Sequence, residues 1–119
     1  MPRRILVVDD ESLSAMVMQM YFEDRGYQVE VAGSAAEAID KAAAFSPEVL
    51  ITDHLLGDMT GAELALQLRS TTPDLVAAVV SGLPPDRITQ VIGDDPHIQV
   101  FIKPVDLDEL ERALLPQPA

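Results

Sequence analysis

Three carboxylates, one hydroxyl and one ammonium carry the chemistry available to this sequence. Asp9 and Asp10 are adjacent and follow the apolar run at residues 5–8. Asp53 follows the run at 49–52, Ser81 the run at 75–80, and Lys103, with Pro104 after it, the run at 98–102. Taken singly, each has an ordinary reading. An Asp pair ahead of a helix suits the helix dipole, Asp53 reads as a loop residue, Ser81-Gly82 as a turn, and Lys103 as a solvated strand end. What they share is a place directly after a strand-like run. Carboxylates gathered at one rim repel one another unless a cation neutralises them. Oxygen-only ligands with an open position suit Mg²⁺, with Mn²⁺ as the alternative. A carboxylate can attack phosphorus to form an aspartyl phosphate, and the transferred group's spread negative charge is met by cations and donors. On this reading Asp53 is the nucleophile, because it ends a central strand and leads into the polar loop Gly57–Gly61. Asp9 and Asp10 hold metal, Lys103 pairs with a phosphoryl oxygen, and Ser81 donates to another.

Convergence of these residues depends on the elements around them. Residues 5–8 are an all-apolar run rich in β-branched residues, read as a strand buried on both faces. From Ser12 the period changes, with Leu13, Met16, Val17 and Met20 on one helical stripe read as core-facing, and Gly26 as the stop. Strand signals recur at 27–31, 49–52, 75–80 and 98–102. Helical signals lie between them. Ser34 and Thr60 each stand three residues before a Glu (Glu37, Glu63), the spacing of a capping box. A weak helix is read over 84–93, and a last one over 106–115 with Asp106 as N-cap. Five strand–helix units predict an α/β fold, a doubly wound open parallel sheet with helices on both faces. A closed eight-unit barrel needs about twice the chain. In an open sheet of this kind, ligands bind beyond the carboxyl ends of the strands, where all five polar residues stand.

The 119 residues amount to one domain, read as 1–115, with Pro116-Gln-Pro-Ala119 as a tail or the start of a linker and Met1 as a natural N-terminus. Eight basic against twenty acidic side chains give a net charge of −12. Such a surface repels nucleic-acid phosphates and anionic lipid and favours metal cations and basic partners. The absence of Cys excludes disulfide scaffolds and thiol chemistry, and two His make a His-rich zinc site improbable. No apolar run reaches the roughly 20 residues of a membrane span. A soluble, cytoplasmic protein is expected.

Val7-Val8-Asp9-Asp10-Glu11, the stretch Asp53 to Gly61, Ser81-Gly82 and Lys103-Pro104 together resemble a response-regulator receiver domain of two-component signalling. The separation of Ser81 from Lys103, 103 − 81 = 22, fits as well. The resemblance covers essentially the whole chain and implies a flavodoxin-like five-stranded sheet of order 2-1-3-4-5. It implies that Asp53 accepts phosphate from a histidine kinase or a histidine phosphotransfer protein and that a downstream protein reads the phospho-form. It further implies that Asp10 binds Mg²⁺ directly, Asp9 mostly through water, and the Leu55 carbonyl as a further ligand. Ser81 and Lys103 would contact the phosphoryl group, and the Lys103–Pro104 peptide would be cis. Such a domain catalyses only its own phosphorylation and dephosphorylation and is not otherwise an enzyme.

Departures from the family pattern sharpen these expectations. Gly57 stands where the family usually has Pro, so a more mobile loop is expected. The usual aromatic switch position is Val100, while Phe101 is one residue later and should face the other side of the sheet. Together with Ser81 these are the candidate switch residues. Leu55 and Leu83, each two residues after a site residue, are expected to shield an acyl phosphate from water. Strand alternation turns His54 away from Asp53, and His97 is read as exposed. Met16 and Met20 are assigned to the core stripe, leaving only Met18 spare. Two other classes are weighed. A contact-only receiver is disfavoured by the complete site. A phosphohydrolase with an aspartyl intermediate is disfavoured because Leu55 stands where such enzymes place a second Asp.

Overall fold

Short β-branched runs between amphipathic segments leave the chain one economical arrangement, an open sheet covered on both faces. The computed structural model describes residues 3–82, 85–93 and 95–115. Strands β1 (Arg4–Val8), β2 (Gln28–Ala32), β3 (Val49–Asp53), β4 (Val76–Ser81) and β5 (Ile98–Ile102) alternate with helices α1 (Ser12–Asp24), α2 (Ala35–Phe45), α3 (Gly61–Thr71), α4 (Pro85–Ile92) and α5 (Leu107–Leu114). All four strand pairs are parallel, in the order β2-β1-β3-β4-β5. This is the predicted fold. Several boundaries differ by a residue or two, as they do where terminal turns fray. The tail at residues 116–119 lies outside the described residues.

Alternation along each strand splits the core into two layers. Leu6, Val8, Leu50, Ala77 and Val79 pack with α2, α3 and α4. Ile5, Val7, Val49, Ile51, Ala78 and Val80 pack with α1 and α5. β5 obeys the same parity: Val100 lies against the first layer and Phe101 against the second.

Helix starts follow their sequence signals. Thr60 and Glu63 form the full reciprocal capping box on α3. Ser34 accepts from the Glu37 N–H, but Glu37 answers one residue further back, on the Gly33 N–H at 2.7 Å. Asp106 accepts from the Asp108 and Glu109 N–H groups at the start of α5.

The core stripe expected on α1 is overturned. Leu13, Met16, Val17 and Met20 are 67%, 51%, 52% and 59% exposed. The buried face is instead Ala15 and Phe22, with Met18 packed beside them, at helical spacing. Phe22 decides the orientation. It is fully buried and meets Tyr21 and Tyr27 edge-on, with centroids 5.1 and 5.9 Å away. The small Ala15 side chain lets the helix lie close to the sheet. Arg25, stacked on Tyr21 at 4.4 Å, bonds Asp108 and Glu111 and fastens α1 to α5 in this orientation.

Candidate functional site

The parallel register carries β1, β3, β4 and β5 to the same rim. Val8 pairs with Thr52, Asp53 with Val80, and Ser81 with Ile102, so Asp9, Asp10, Asp53, Ser81 and Lys103 emerge side by side. One carboxylate oxygen from each of Asp9, Asp10 and Asp53 lies within 4.8 Å of the others. Lys103 Nζ is 3.0 Å from Asp53 Oδ1, and the His54 N–H donates to the same oxygen at 2.9 Å. Oδ2 of Asp53 carries no hydrogen bond among the described residues. The Lys103 N–H donates to the Ser81 carbonyl at 2.9 Å, tying the two strand ends together. The Lys103–Pro104 peptide is cis.

Electrostatics match this crowding. Burial pushes the Asp9 carboxyl above its ordinary value, the Asp53 and Asp10 charges add to the rise, and the Glu11 N–H and Lys103 oppose it. The hydrogen bond to Asp53 holds the Lys103 ammonium protonated beyond the usual lysine range. Three carboxylates set against the single ammonium of Lys103 fit a hard divalent cation, which is the ligand chemistry this cluster supports.

The loop after β3 is held at both ends. The Gly61 N–H donates to the His54 carbonyl at 2.7 Å, and Leu55 bridges Thr60. A Cβ on Gly61 would lie 2.3 Å from the Asp53 carbonyl oxygen, so only glycine lets α3 start this close to Asp53. Gly57 bends the loop with φ +92°, where a side chain is strained.

Other predicted residues fall as follows. His54 is buried, on the side away from the cleft, with Nδ1 unpartnered among the described residues. His97 is exposed, yet its ring lies 3.3 Å from Arg69. Leu55 is 60% exposed, and Leu83 lies outside the described residues. Two features escaped the sequence reading. Asp58 reaches from the loop to the start of α2, accepting from Ala35 and Ala36 N–H at 3.2 and 3.0 Å. The exposed α1 face is the second. A cleft of about 470 Å³ holds Asp53, Asp9 and Lys103, and a second of about 340 Å³, lined by Leu13, Val17 and Leu107, shares Glu11, Ser14, Met18 and Val105 with it. The signal for that face was the absence of any charge from Ser12 to Met20 on a surface helix.

The chain is similar to known proteins. The response regulator MprA of Mycolicibacterium vanbaalenii is 36% identical over 120 residues, covering 97% of this chain and 51% of MprA. The chain thus spans about half the length of the curated relatives it matches. A Burkholderia pseudomallei response regulator, solved with a phosphorylated aspartic acid, a calcium ion and citrate, superposes with a TM-score of 0.86 at 27% identity, over 96% of this chain and 67% of that one. A receiver domain protein from Methanospirillum hungatei gives 0.82 at 26%, over 96% and 94%. Among the described residues no helix is long and apolar enough to cross a membrane. The response regulator receiver domain family matches residues 5–115, nearly the whole described chain, and this protein belongs to that family.

Proposed function

We propose that the chain is a phospho-accepting receiver that takes a phosphoryl group from a phosphohistidine onto Asp53 in a Mg²⁺-dependent reaction. The observation that carries this is the cluster itself: three carboxylates within 4.8 Å, with Lys103 Nζ 3.0 Å from Asp53. Asp53 Oδ2 attacks phosphorus, the P–N bond of the donor breaks, and the leaving imidazole keeps the electron pair and takes up a proton. Lys103 steadies Asp53 beforehand and pairs with a phosphoryl oxygen as charge shifts onto it. Ser81, buried at the end of β4, supplies a hydroxyl on the other side. Asp9, Asp10, Asp53 and the Leu55 carbonyl would hold the cation, which would screen the anionic carboxylate from the anionic donor. Val100 and Phe101, on opposite faces of β5, are the candidate relays to the output surface. The reading implies a cytoplasmic setting shared with the donor.

The exposed α1 face supplies the donor's landing place. Its apolar residues adjoin the acceptor cleft, so a helix lying on them can deliver a histidine to Asp53. Acidic groups bound the face at both ends: Asp9, Asp10 and Glu11 at one, Glu23 and Asp24 at the other. A second copy lying antiparallel would set acid against acid. A donor helix with an apolar centre and basic ends fits instead.

The test is intact mass after incubation with a small acyl phosphate, with and without Mg²⁺, for the wild type and Asp53→Asn. A gain of one phosphate requiring both Mg²⁺ and Asp53 is expected. No gain in the wild type would leave a contact-only module, and gain by Asp53→Asn would move the nucleophile to Asp9 or Asp10.

A further inference from the structure

We infer that Asp58 is a positioning residue that clamps the acceptor loop to the first turn of α2 and so couples that helix end to cation binding beside Asp53. The inference rests on the metal-dependent reading above. A helix start leaves several N–H groups without intrahelical partners. In α2 the Ser34 side chain serves Glu37, while the Ala35 and Ala36 N–H groups donate to the two oxygens of Asp58, at 3.2 and 3.0 Å. Asp58 Oδ1 also accepts from its own loop, from the Met59 N–H at 3.1 Å. The carboxylate therefore belongs to both elements at once. These same amides, Ala36 first and Ala35 next, hold Asp58 below the usual carboxylate range, so the clamp stays charged at neutral pH.

Gly57 makes the clamp possible. Its φ of +92° turns the chain so that Asp58 points to α2, and a proline, confined near φ −65°, could not make that turn. A glycine bend alone would leave the loop loose. Here the loop is pinned by Asp58 on the α2 side and by the Leu55–Thr60 bridge and the α3 capping box on the other. The stretch between the pins contains the Leu55 carbonyl. Holding that carbonyl in place favours cation binding, and by reciprocity cation binding must tighten the Asp58–α2 contact by the same factor.

The experiment is amide hydrogen exchange at Ala35 and Ala36 by NMR with and without Mg²⁺, paired with calorimetric Mg²⁺ affinity. It compares the wild type, Asp58→Ala, Asp58→Asn and Ser34→Ala. Saturating Mg²⁺ should slow exchange at both amides at least threefold in the wild type. Asp58→Ala should weaken Mg²⁺ binding by that same factor and abolish the protection, and Asp58→Asn, which keeps an acceptor oxygen, should fall between. Ser34→Ala frays the same helix end without touching the loop and should leave the affinity within twofold. An unchanged affinity in Asp58→Ala, or an equal loss in Ser34→Ala, would reduce Asp58 to a helix cap and overturn the inference. A wild type that binds no Mg²⁺ would overturn it as well. If Mg²⁺ binds with this coupling but Asp53 gains no phosphate, the phosphoryl-transfer reading fails and the clamp stands.

Discussion

Lys103 Nζ and Asp53 Oδ1 stand 3.0 Å apart although their strands are separated in the sheet by β4. The lysine reaches past the end of β4 to Asp53, so on the proposed reading it is in place before phosphoryl transfer. Lys103→Met removes this charge while keeping most of the stem. Phosphorylation of Asp53 by a small acyl phosphate is expected to slow by about 10²-fold, the scale of losing one preorganised charge donor. A time course of intact mass measures it, and a rate within threefold of wild type would show that Lys103 merely neutralises the resting carboxylate.

The α1 face separates packing from recognition. Met16→Ala with Met20→Ala should change unfolding stability by less than about 0.5 kcal/mol per site, the range for exposed positions. Core methionines would cost about 2–5 kcal/mol each. Val17→Glu should leave phosphorylation by a small acyl phosphate unchanged while slowing transfer from a phosphohistidine protein at least tenfold. Equal slowing with both donors would mean that the substitution disturbs the site itself.

The strands were legible because burial on both faces demands uninterrupted Val, Ile and Leu, as at residues 5–8 and 49–51. The rim was legible because parallel topology fixes where strand ends go, whatever stands there. Side chains on α1 were not. Ala15, Met18 and Phe22 form one apolar stripe and Leu13, Met16, Val17 and Met20 another, and periodicity alone favoured the longer one. The aromatic contacts of Phe22 with Tyr21 and Tyr27 and the fastening of Arg25 to α5 settle which stripe faces inward, and the partners of Arg25, Asp108 and Glu111, are remote in sequence. Asp58 was hidden for a similar reason: its partners lie on α2, and the loop spacing shows only that Gly57 replaces a proline.

Glycine positions offer a paired test of how closely α3 approaches Asp53. Gly61→Ala would set a methyl 2.3 Å from the Asp53 carbonyl oxygen, so the helix start or the end of β3 must move. The expected cost is about 1–3 kcal/mol or more, together with loss of phosphorylation. Gly82→Ala meets nothing within 4 Å and should leave stability within about 0.5 kcal/mol. Urea denaturation of both variants checks this, and similar stabilities would refute the close approach.

Acid stability should depend on Asp95, which precedes β5 and accepts from Arg69 on α3 at 2.7 Å, with both side chains mostly buried. Arg69 also donates to the Pro73 and Leu75 carbonyls, so it joins the end of α3, the start of β4 and the approach to β5. The Arg69 hydrogen bond, ahead of the His97 N–H, holds the Asp95 carboxyl below its ordinary value. A carboxyl whose value is lowered by folding contributes stability above the ordinary aspartate value of 3.8 and loses it as pH falls through the folded value. Asp95→Asn should therefore cost about 1–3 kcal/mol at pH 7, the scale of a hydrogen bond to a charged group. That gap should begin to close as pH falls below the ordinary value of 3.8, where the unfolded chain takes up the proton first, and should go on narrowing until the folded carboxyl is protonated in its turn. Urea unfolding of both proteins from pH 7 down to pH 3 measures the gap directly. A gap that stayed constant over that range would mean that Arg69 is held by the two carbonyls alone, and that the charge on Asp95 contributes nothing to fastening α3 to β5.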